Sequence, residues 1–275
     1  MGPLNREEYT ILAQGLFREP QVLVHYDPDG LNRTLSPALA LRIEEQWRQA
    51  ELRARTLGRD LFNSPLFRLA EIRTGSHSSL SLGLGDTDYR EYLESRAHPH
   101  ETPRADPLGT AVIVFTTDGL VPVGKRSQRV EVNPGRYFTF GGFFDRGLDW
   151  RAGGNEPSLF GCARRELEEE LGIQVPEQDL RLLGIIYDQR HPHPEACFLA
   201  PAGKTGVELL ASRDAEEISD LLLVPLAGLA SFLEEEQSRI CESLRGGFEI
   251  FLRLLERGAP FGDGPAWAPL VETLS

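Results

Sequence analysis

The chain has little that would suit it to an oxidising compartment, a membrane or a nucleic acid. Only three of its 275 residues are cysteine (Cys162, Cys197 and Cys241), and no two of them form a Cys-x-x-Cys pair. That excludes a disulfide scaffold and argues for a reducing, cytoplasmic setting. No run approaches the roughly 18 apolar residues that a membrane-spanning helix needs, so no membrane association is expected. The first residues, which include Arg6, Glu7 and Glu8, have no signal-peptide pattern. Positive charge is also short: 29 basic residues face 42 acidic ones, for a net charge of -13, and only Lys125 and Lys204 are lysine. A surface with this balance repels a phosphate backbone, so a nucleic-acid groove is not expected. A nucleotide-sized ligand held through metal ions is still permitted.

What is present suits a folded chain of one large domain or two modest ones. Hydrophobic residues make up 40% and charged residues 26%, enough for a sizeable core. In the first part, residues 21–26 read as a strand and 38–55 as a helix. Ser36 is the expected N-cap, Pro37 the first helical residue, and Leu41, Ile43, Trp47 and Ala50 fall at helical spacing. Residues 67–73 and 79–84 read as short strands, and 86–94 as a short helix. The polar, proline-rich stretch 95–107 marks a boundary. Beyond it, 110–117 reads as a strand, Asp118-Gly119 as a turn and 120–124 as the partner strand of a hairpin. The aromatic strand 137–140 runs into Gly141-Gly142, followed by a glycine-containing loop over 143–156. A helix over 157–171 is stopped by Gly172. Strands are expected at 181–187, 195–200 and 218–225, a helical stretch over 229–256 interrupted near Gly246-Gly247, and a glycine- and proline-containing tail from 258. This mixed order suggests an α/β/α or α+β sandwich.

The densest acidic run, Arg165-Glu166-Leu167-Glu168-Glu169-Glu170-Leu171-Gly172-Ile173, carries the chemistry. On a helix Glu166, Glu169 and Glu170 fall at i, i+3 and i+4, so one face holds three carboxylates. Leu167 and Leu171 lie four apart on a face suited to the core. Like charges so close repel one another unless a divalent cation lies between them. Hard carboxylate oxygens suit Mg²⁺ or Mn²⁺. Such an ion can also take ligands from a diphosphate and position a water for attack. Without a cation the same pattern describes a solvated, arginine-balanced helix face. Glycines at 141 and 142 would let the backbone approach a metal or phosphate closely.

This run resembles the second half of the Nudix box, R-E-(aliphatic)-x-E-E-x-G-(aliphatic), at every specified position, and Gly141-Gly142 resembles the glycine pair that opens the box. The resemblance implies an α/β/α sandwich (the Nudix fold), here with an N-terminal α+β accessory region, and metal-dependent hydrolysis of a phosphoanhydride. It divides the chain into an accessory region at 1–105, a Nudix domain with its C-terminal helix at 106–257, and a tail at 258–275. The first half of the box departs from the pattern. Pro157 stands where the family has a glutamate, Glu156 is one place earlier, and the loop from Gly142 to Arg165 is enlarged. Glu156 is expected to take over the missing residue's pairing within the loop, with Pro157 opening the helix. Four further fragments are similar to an animal Nudix subfamily that hydrolyses UDP-glucose and UDP-galactose. They are Pro65-x-Phe67-Arg68-Leu69, Tyr89-Arg90-Glu91-Tyr92-Leu93, Ala105-Asp106-Pro107-Leu108-Gly109 and Arg126-Ser127-x-Arg129-Val130.

Carried over residue by residue, the resemblance makes Glu166, Glu169 and Glu170 the metal ligands and catalytic carboxylates, with Mg²⁺ (or Mn²⁺) as cofactor. Arg165 orients the carboxylates. The backbone carbonyl of Gly142, or that of Gly141, is a further ligand. A carboxylate from outside the box completes the site; Glu217 aligns best, with Glu216 and Glu195 as alternatives. Lys125, Arg126 and Arg129 are expected to bind substrate phosphate or sugar. His191 and His193 would line the pocket mouth, and Phe143 and Phe144 are the more exposed aromatic candidates. The expected substrate is a small nucleoside diphosphate sugar, UDP-glucose or UDP-galactose, giving UMP and sugar 1-phosphate. The alternatives are ADP-ribose, another nucleoside diphosphate derivative, or a weakly catalytic nucleotide-sugar-binding or regulatory module. Monomer and homodimer are both open.

Overall fold

The computed structural model describes residues 8–58, 61–75, 79–101, 103–128, 133–213, 218–262 and 264–274. In chain order its elements are β1 (Tyr9–Phe17), β2 (Val22–Tyr26), α1 (Pro37–Thr56), β3 (Pro65–Gly75), β4 (Ser79–Asp88), α2 (Tyr89–Ala97), β5 (Gly109–Phe115), β6 (Leu120–Arg126), β7 (Tyr137–Phe138) and α3 (Leu159–Leu171). They continue with β8 (Arg181–Asp188), β9 (His193–Pro201), α4 (Gly206–Ser212), β10 (Ile218–Pro225), α5 (Leu229–Glu235), α6 (Glu242–Glu256) and α7 (Ala268–Leu274).

A four-stranded sheet in the order β1-β8-β9-β5 lies at the centre. β5 runs parallel to β9, and the other neighbours are antiparallel. Neighbouring residues of a strand point to opposite faces, and β9 shows what covers each. The Phe198 ring meets Phe160 of α3 with centroids 5.0 Å apart. Cys197 instead faces α6, where a Cβ added to Gly247 would lie 3.5 Å from its Sγ. Helices thus cover both faces, giving the α/β/α layering of the expected sandwich. A second sheet, β10-β6-β7, is antiparallel throughout.

β5 and β6 follow one another but do not form the expected hairpin, because they belong to different sheets. All seven residues of β5 are buried. One edge of the strand is taken by β9. The other pairs with the glycine segment, through Thr110 N–H to the Gly142 carbonyl (2.8 Å) and Val112 N–H to that of Phe140 (2.6 Å). The turn over Thr116–Gly119 closes on Leu120, after which the chain crosses to the second sheet.

The accessory sheet has the order β2-β4-β3, with β2 parallel and β3 antiparallel to β4. It continues into the rest of the molecule through β3. Phe67 N–H donates to the Phe144 carbonyl at 2.9 Å, and Leu108 N–H donates to that of Phe67 at 2.9 Å. β1 meanwhile pairs with β8 in the central sheet. Chain on the two sides of residue 105 is therefore joined by backbone hydrogen bonds. Ser36 caps α1, accepting from Leu39 N–H at 3.2 Å, and the helix buries Leu39 and Ile43 while Leu41 faces solvent.

Two helix boundaries differ from expectation. α3 begins after Ser158, whose hydroxyl accepts from Gly161 N–H, so serine rather than Pro157 opens it. Gly172 ends it in the left-handed region at φ 61°, and Ile173 tucks back into the core. The late helical stretch breaks between Glu236 and Cys241, not at Gly246-Gly247. Those glycines lie inside α6 because the helix presses on the sheet there. A Cβ on Gly246 would come within 2.9 Å of Ile186 Cδ1 and 3.2 Å of the Tyr9 ring. Among the described residues no helix is long and apolar enough to cross a membrane.

Candidate active site

α3 and the glycine segment build one wall of a cleft of about 290 Å³. The capped start of α3, with Leu167 and Leu171 in the core, turns Glu166 and Glu170 toward the cleft. Glu170 is buried, and its Oε2 accepts from Gly141 N–H at 2.9 Å. Glu166 lies so close to Gly142 that an added Cβ would stand 2.5 Å from its Oε1. A side chain there would displace the carboxylate. Burial pushes the Glu166 carboxyl up to about 7, against the pull of the Arg165 charge.

Arg165 ties this wall together. Its Nε and Nη2 grip both oxygens of Asp149 at 2.8 and 2.9 Å, while Nη1 donates to Glu166 at 2.8 Å and to Glu169 at 3.0 Å. Burial works against its charge, but the Asp149 hydrogen bonds and the Glu166 charge raise its pKa. Glu169 stays on the outer edge, its side chain more than half exposed. The fit of a divalent cation rests on this donor set. Glu170, buried, and Glu166, largely buried, are hard oxygen donors beside a backbone that leaves room for them, and Glu169 is one ion pair away. A cation would relieve the cost of burying Glu166 as an anion. Among the described residues no group of three or more His, Cys, Asp and Glu side chains is gathered as a ready metal cage. The Gly142 carbonyl is itself engaged by Thr110, from its N–H at 2.8 Å and its hydroxyl at 3.1 Å.

The expected loop pairing of Glu156 is met differently. Glu156 is exposed and, among the described residues, its side chain reaches only Arg151, at 3.5 Å. Asp149, in the enlarged loop, holds the box arginine instead, and Asp145 N–H donates to it at 2.8 Å. No sequence motif marked Asp149.

A second wall comes from β8, β9 and α2. Asp188, His191, His193 and Glu195 line the cleft, with Tyr89 and Tyr92 from the accessory region. The His191 carbonyl faces His193 Nδ1 and can only accept, so Nδ1 carries a hydrogen. His193 Nε2 lies 2.9 Å from Glu195 Oε1. Burial alone would lower the His193 pKa, but the Glu195 hydrogen bond and charge reverse this and raise it. The Tyr92 hydroxyl lies 3.3 Å from its Nδ1. Burial pushes Asp188 up to about 7 and His191 down to about 3. The second carboxylate oxygen of Glu195 is buried with no hydrogen-bond partner among the described residues.

The expected phosphate binders separate. Arg126 lines the cleft with its guanidinium 4.6 Å from the Phe138 ring centroid. Lys125, its neighbour on β6, is paired in register with Asp220 and Tyr137 and does not line the cleft. Arg129, Glu216 and Glu217 lie outside the described residues. Phe143 lines the cleft, whereas Phe144 is fully buried against Phe67 and is not an exposed aromatic. Tyr89 and Tyr92 sat within a resembling fragment, but nothing in the residues themselves pointed them at the site.

Comparison with known proteins gives one family and a set of solved structures. The NUDIX domain family matches residues 106–242. No curated protein matches the chain. Among solved structures, the MutT protein from Methanosarcina mazei Go1 is similar at 18% identity, over 54% of this chain and 93% of that one, with a TM-score of 0.38. A NUDIX hydrolase from Alicyclobacillus acidocaldarius is similar at 15% identity, over 52% and 89% of the two chains, with a TM-score of 0.40. A Deinococcus radiodurans protein is similar at 15% identity, over 51% and 79%, with a TM-score of 0.37.

Proposed function

The chain belongs to the Nudix hydrolase superfamily through residues 106–242, and on that premise we propose that it hydrolyses the diphosphate of UDP-glucose or UDP-galactose to UMP and sugar 1-phosphate. The coarser chemistry, phosphoanhydride hydrolysis on a nucleotide-derived substrate, comes with the superfamily. One observation carries the reading. The carboxylates Glu166 and Glu170, the cation Arg126 and the tyrosines of α2 all line one cleft. Tyr89, Tyr92 and Arg126 belong to fragments that resemble the UDP-sugar-cleaving subfamily, which supports that substrate over ADP-ribose.

Glu166, Glu169 and Glu170 would hold the divalent cation, Mg²⁺ or Mn²⁺, which when bound supplies positive charge to the diphosphate oxygens. The chain's own residues do the rest. Arg165 fixes the carboxylates of Glu166 and Glu169, and Asp149 fixes Arg165. Gly141 N–H fixes Glu170. Arg126 offers a guanidinium to the phosphate oxygens, where charge grows as the bridging bond breaks. Glu195 contributes a carboxylate to the cleft from outside the box. The Nudix part is taken as 106–257, and the three free cysteines, all buried, accord with a cytoplasmic setting.

The test is a panel of UDP-glucose, UDP-galactose, ADP-ribose and a dinucleotide polyphosphate, with Mg²⁺ or Mn²⁺ and chromatographic identification of products. UMP and sugar 1-phosphate should accumulate fastest from the UDP-sugars. Preferred cleavage of ADP-ribose would sink the substrate assignment, and tight UDP-sugar binding without products would make the protein a binding module.

A further inference from the structure

Two recesses meet at Glu166. Beside the cleft lies an outer groove of about 360 Å³, and Tyr89, Phe143 and Glu166 line both. Their chemistry differs. The cleft sets hydrogen-bonding and charged groups, among them Asn133, His191 and Glu195, beside the aromatic Tyr92 and Phe138. The groove is the more apolar of the two: Phe62 at 74% and Leu148 at 63% exposure line it with the buried Leu66, together with Ser64, Asp145 and Arg165. An exposed Phe and Leu on one groove form an apolar surface that water covers poorly.

Size forces a substrate to use both. At about 290 Å³ the cleft is at the lower limit of ligand pockets, which run from about 300 to 1,000 Å³. A nucleoside diphosphate sugar carries a base, a ribose, two phosphates and a hexose, so one end must leave the cleft. Resting on the functional reading above, we propose that the diphosphate lies at Glu166 with the nucleobase in the outer groove against Phe62, Leu148 and Tyr89, and the hexose in the inner cleft against Asn133 and Glu195. Polarity assigns the ends. A base offers flat apolar faces that stack on aromatic and aliphatic side chains. A hexose offers a ring of hydroxyls that need donors and acceptors. The buried Glu195 Oε2, which has no partner among the described residues, is an acceptor awaiting one.

The same assignment gives a task to two departures from an ordinary box. Leu148 stands in the enlarged loop between Gly142 and Arg165, and Phe62 and Tyr89 come from the accessory region. Loop and accessory region together supply the groove, so they act as base-binding and specificity-determining parts.

The two products report on the two recesses separately. UMP and glucose 1-phosphate are titrated calorimetrically, with Mg²⁺, into the full chain and its variants, each first checked for cooperative thermal unfolding. Phe62→Ala, at an exposed position, should raise the Kd for UMP about tenfold, the scale of one lost stacking contact, and leave glucose 1-phosphate binding as in the wild type. Leu148→Ala repeats that test from the loop side. Asn133→Gly, which tolerates the positive φ of 53° at that position, should weaken glucose 1-phosphate and spare UMP. The reverse pattern, or unchanged UMP binding in both Phe62→Ala and Leu148→Ala, overturns the orientation. If the wild-type chain cleaves no nucleoside diphosphate sugar, the functional reading falls first and the orientation with it. If it cleaves UDP-glucose while both groove variants bind UMP normally, the orientation alone falls.

Discussion

On the α3 wall of the cleft, Glu166, Glu169 and Glu170 come from one short run, and Arg165, which holds two of them, is the adjoining residue. On the other wall Asp188 comes from β8, His193 and Glu195 from β9, and Tyr92 from a helix about a hundred residues earlier in the chain. The first wall gathers like charges and restrains them with a guanidinium and the Gly141 backbone N–H. The second sets its carboxylates beside a histidine and, among the described residues, leaves one carboxylate oxygen without a partner. A wall of crowded anions is suited to a cation, whereas a mixed wall of donors and acceptors is suited to a polar ligand. The difference is one of chemical task, and it follows from how far apart in the chain the partners lie.

The contrast can be broken most severely at Glu170. Glu170→Gln keeps the shape and the hydrogen-bond acceptor for Gly141 but removes the charge. Turnover should fall on the order of a thousandfold with an unchanged circular dichroism spectrum. Wild-type turnover in this variant would end the assignment of α3 as the reacting wall. Chelation tests the same wall without mutation. EDTA should abolish product formation, and Mg²⁺ or Mn²⁺ in excess should restore it; turnover that persists in EDTA would remove the cation from the account.

A smaller effect is expected from Asp149→Asn, which weakens the grip on Arg165 and so loosens Glu166 and Glu169. Loss of such an orienting partner costs roughly ten- to a hundredfold in activity, to be read as kcat against KM in steady-state kinetics. The matching change at Glu156, Glu156→Gln, should leave turnover within about twofold, because its contact with Arg151 is an exposed ion pair. Equal effects at the two positions would contradict the assignment of the loop-pairing role to Asp149. On the second wall, Glu195→Gln breaks the charge-assisted bond to His193. Stability should drop by about 1–3 kcal/mol in urea titration. An unchanged midpoint would show that the pair is not formed in solution.

How much of this was legible depended on distance along the chain. The residues of α3 and its stop at Gly172 follow from local spacing, and the acidic run carries the family resemblance, whereas the crowding at Gly141 and Gly142 comes from Thr110 and Glu166, far off in the chain. Ser36 and Pro37 announced α1 for the same reason, since a cap and the residues it satisfies are three positions apart. The hairpin expected over 110–124 gives way to strands in two sheets, because a tight turn specifies that a strand ends, not which sheet the next strand joins. Gly246-Gly247 looked like a helix break, since glycine disfavours helices in isolation. Packing against Ile186 and Tyr9 reverses that preference. Asp149 escaped notice because a lone aspartate in a loop has no periodic partner.

By itself, then, the amino-acid sequence determined the box helix, its three carboxylates and the lack of any apolar run long enough to span a membrane, because those depend on neighbours within a few residues. Only the tertiary structure decided that Glu169 sits at the rim while Glu170 is buried and Glu166 largely so. It alone replaced Glu156 with Asp149, and turned Arg126 but not Lys125 into the cleft. It also brought Tyr89 and Tyr92 of the accessory region against the Nudix part. Each of these depends on which strands pair and which faces are desolvated, and both are settled by burial of the core across the whole chain.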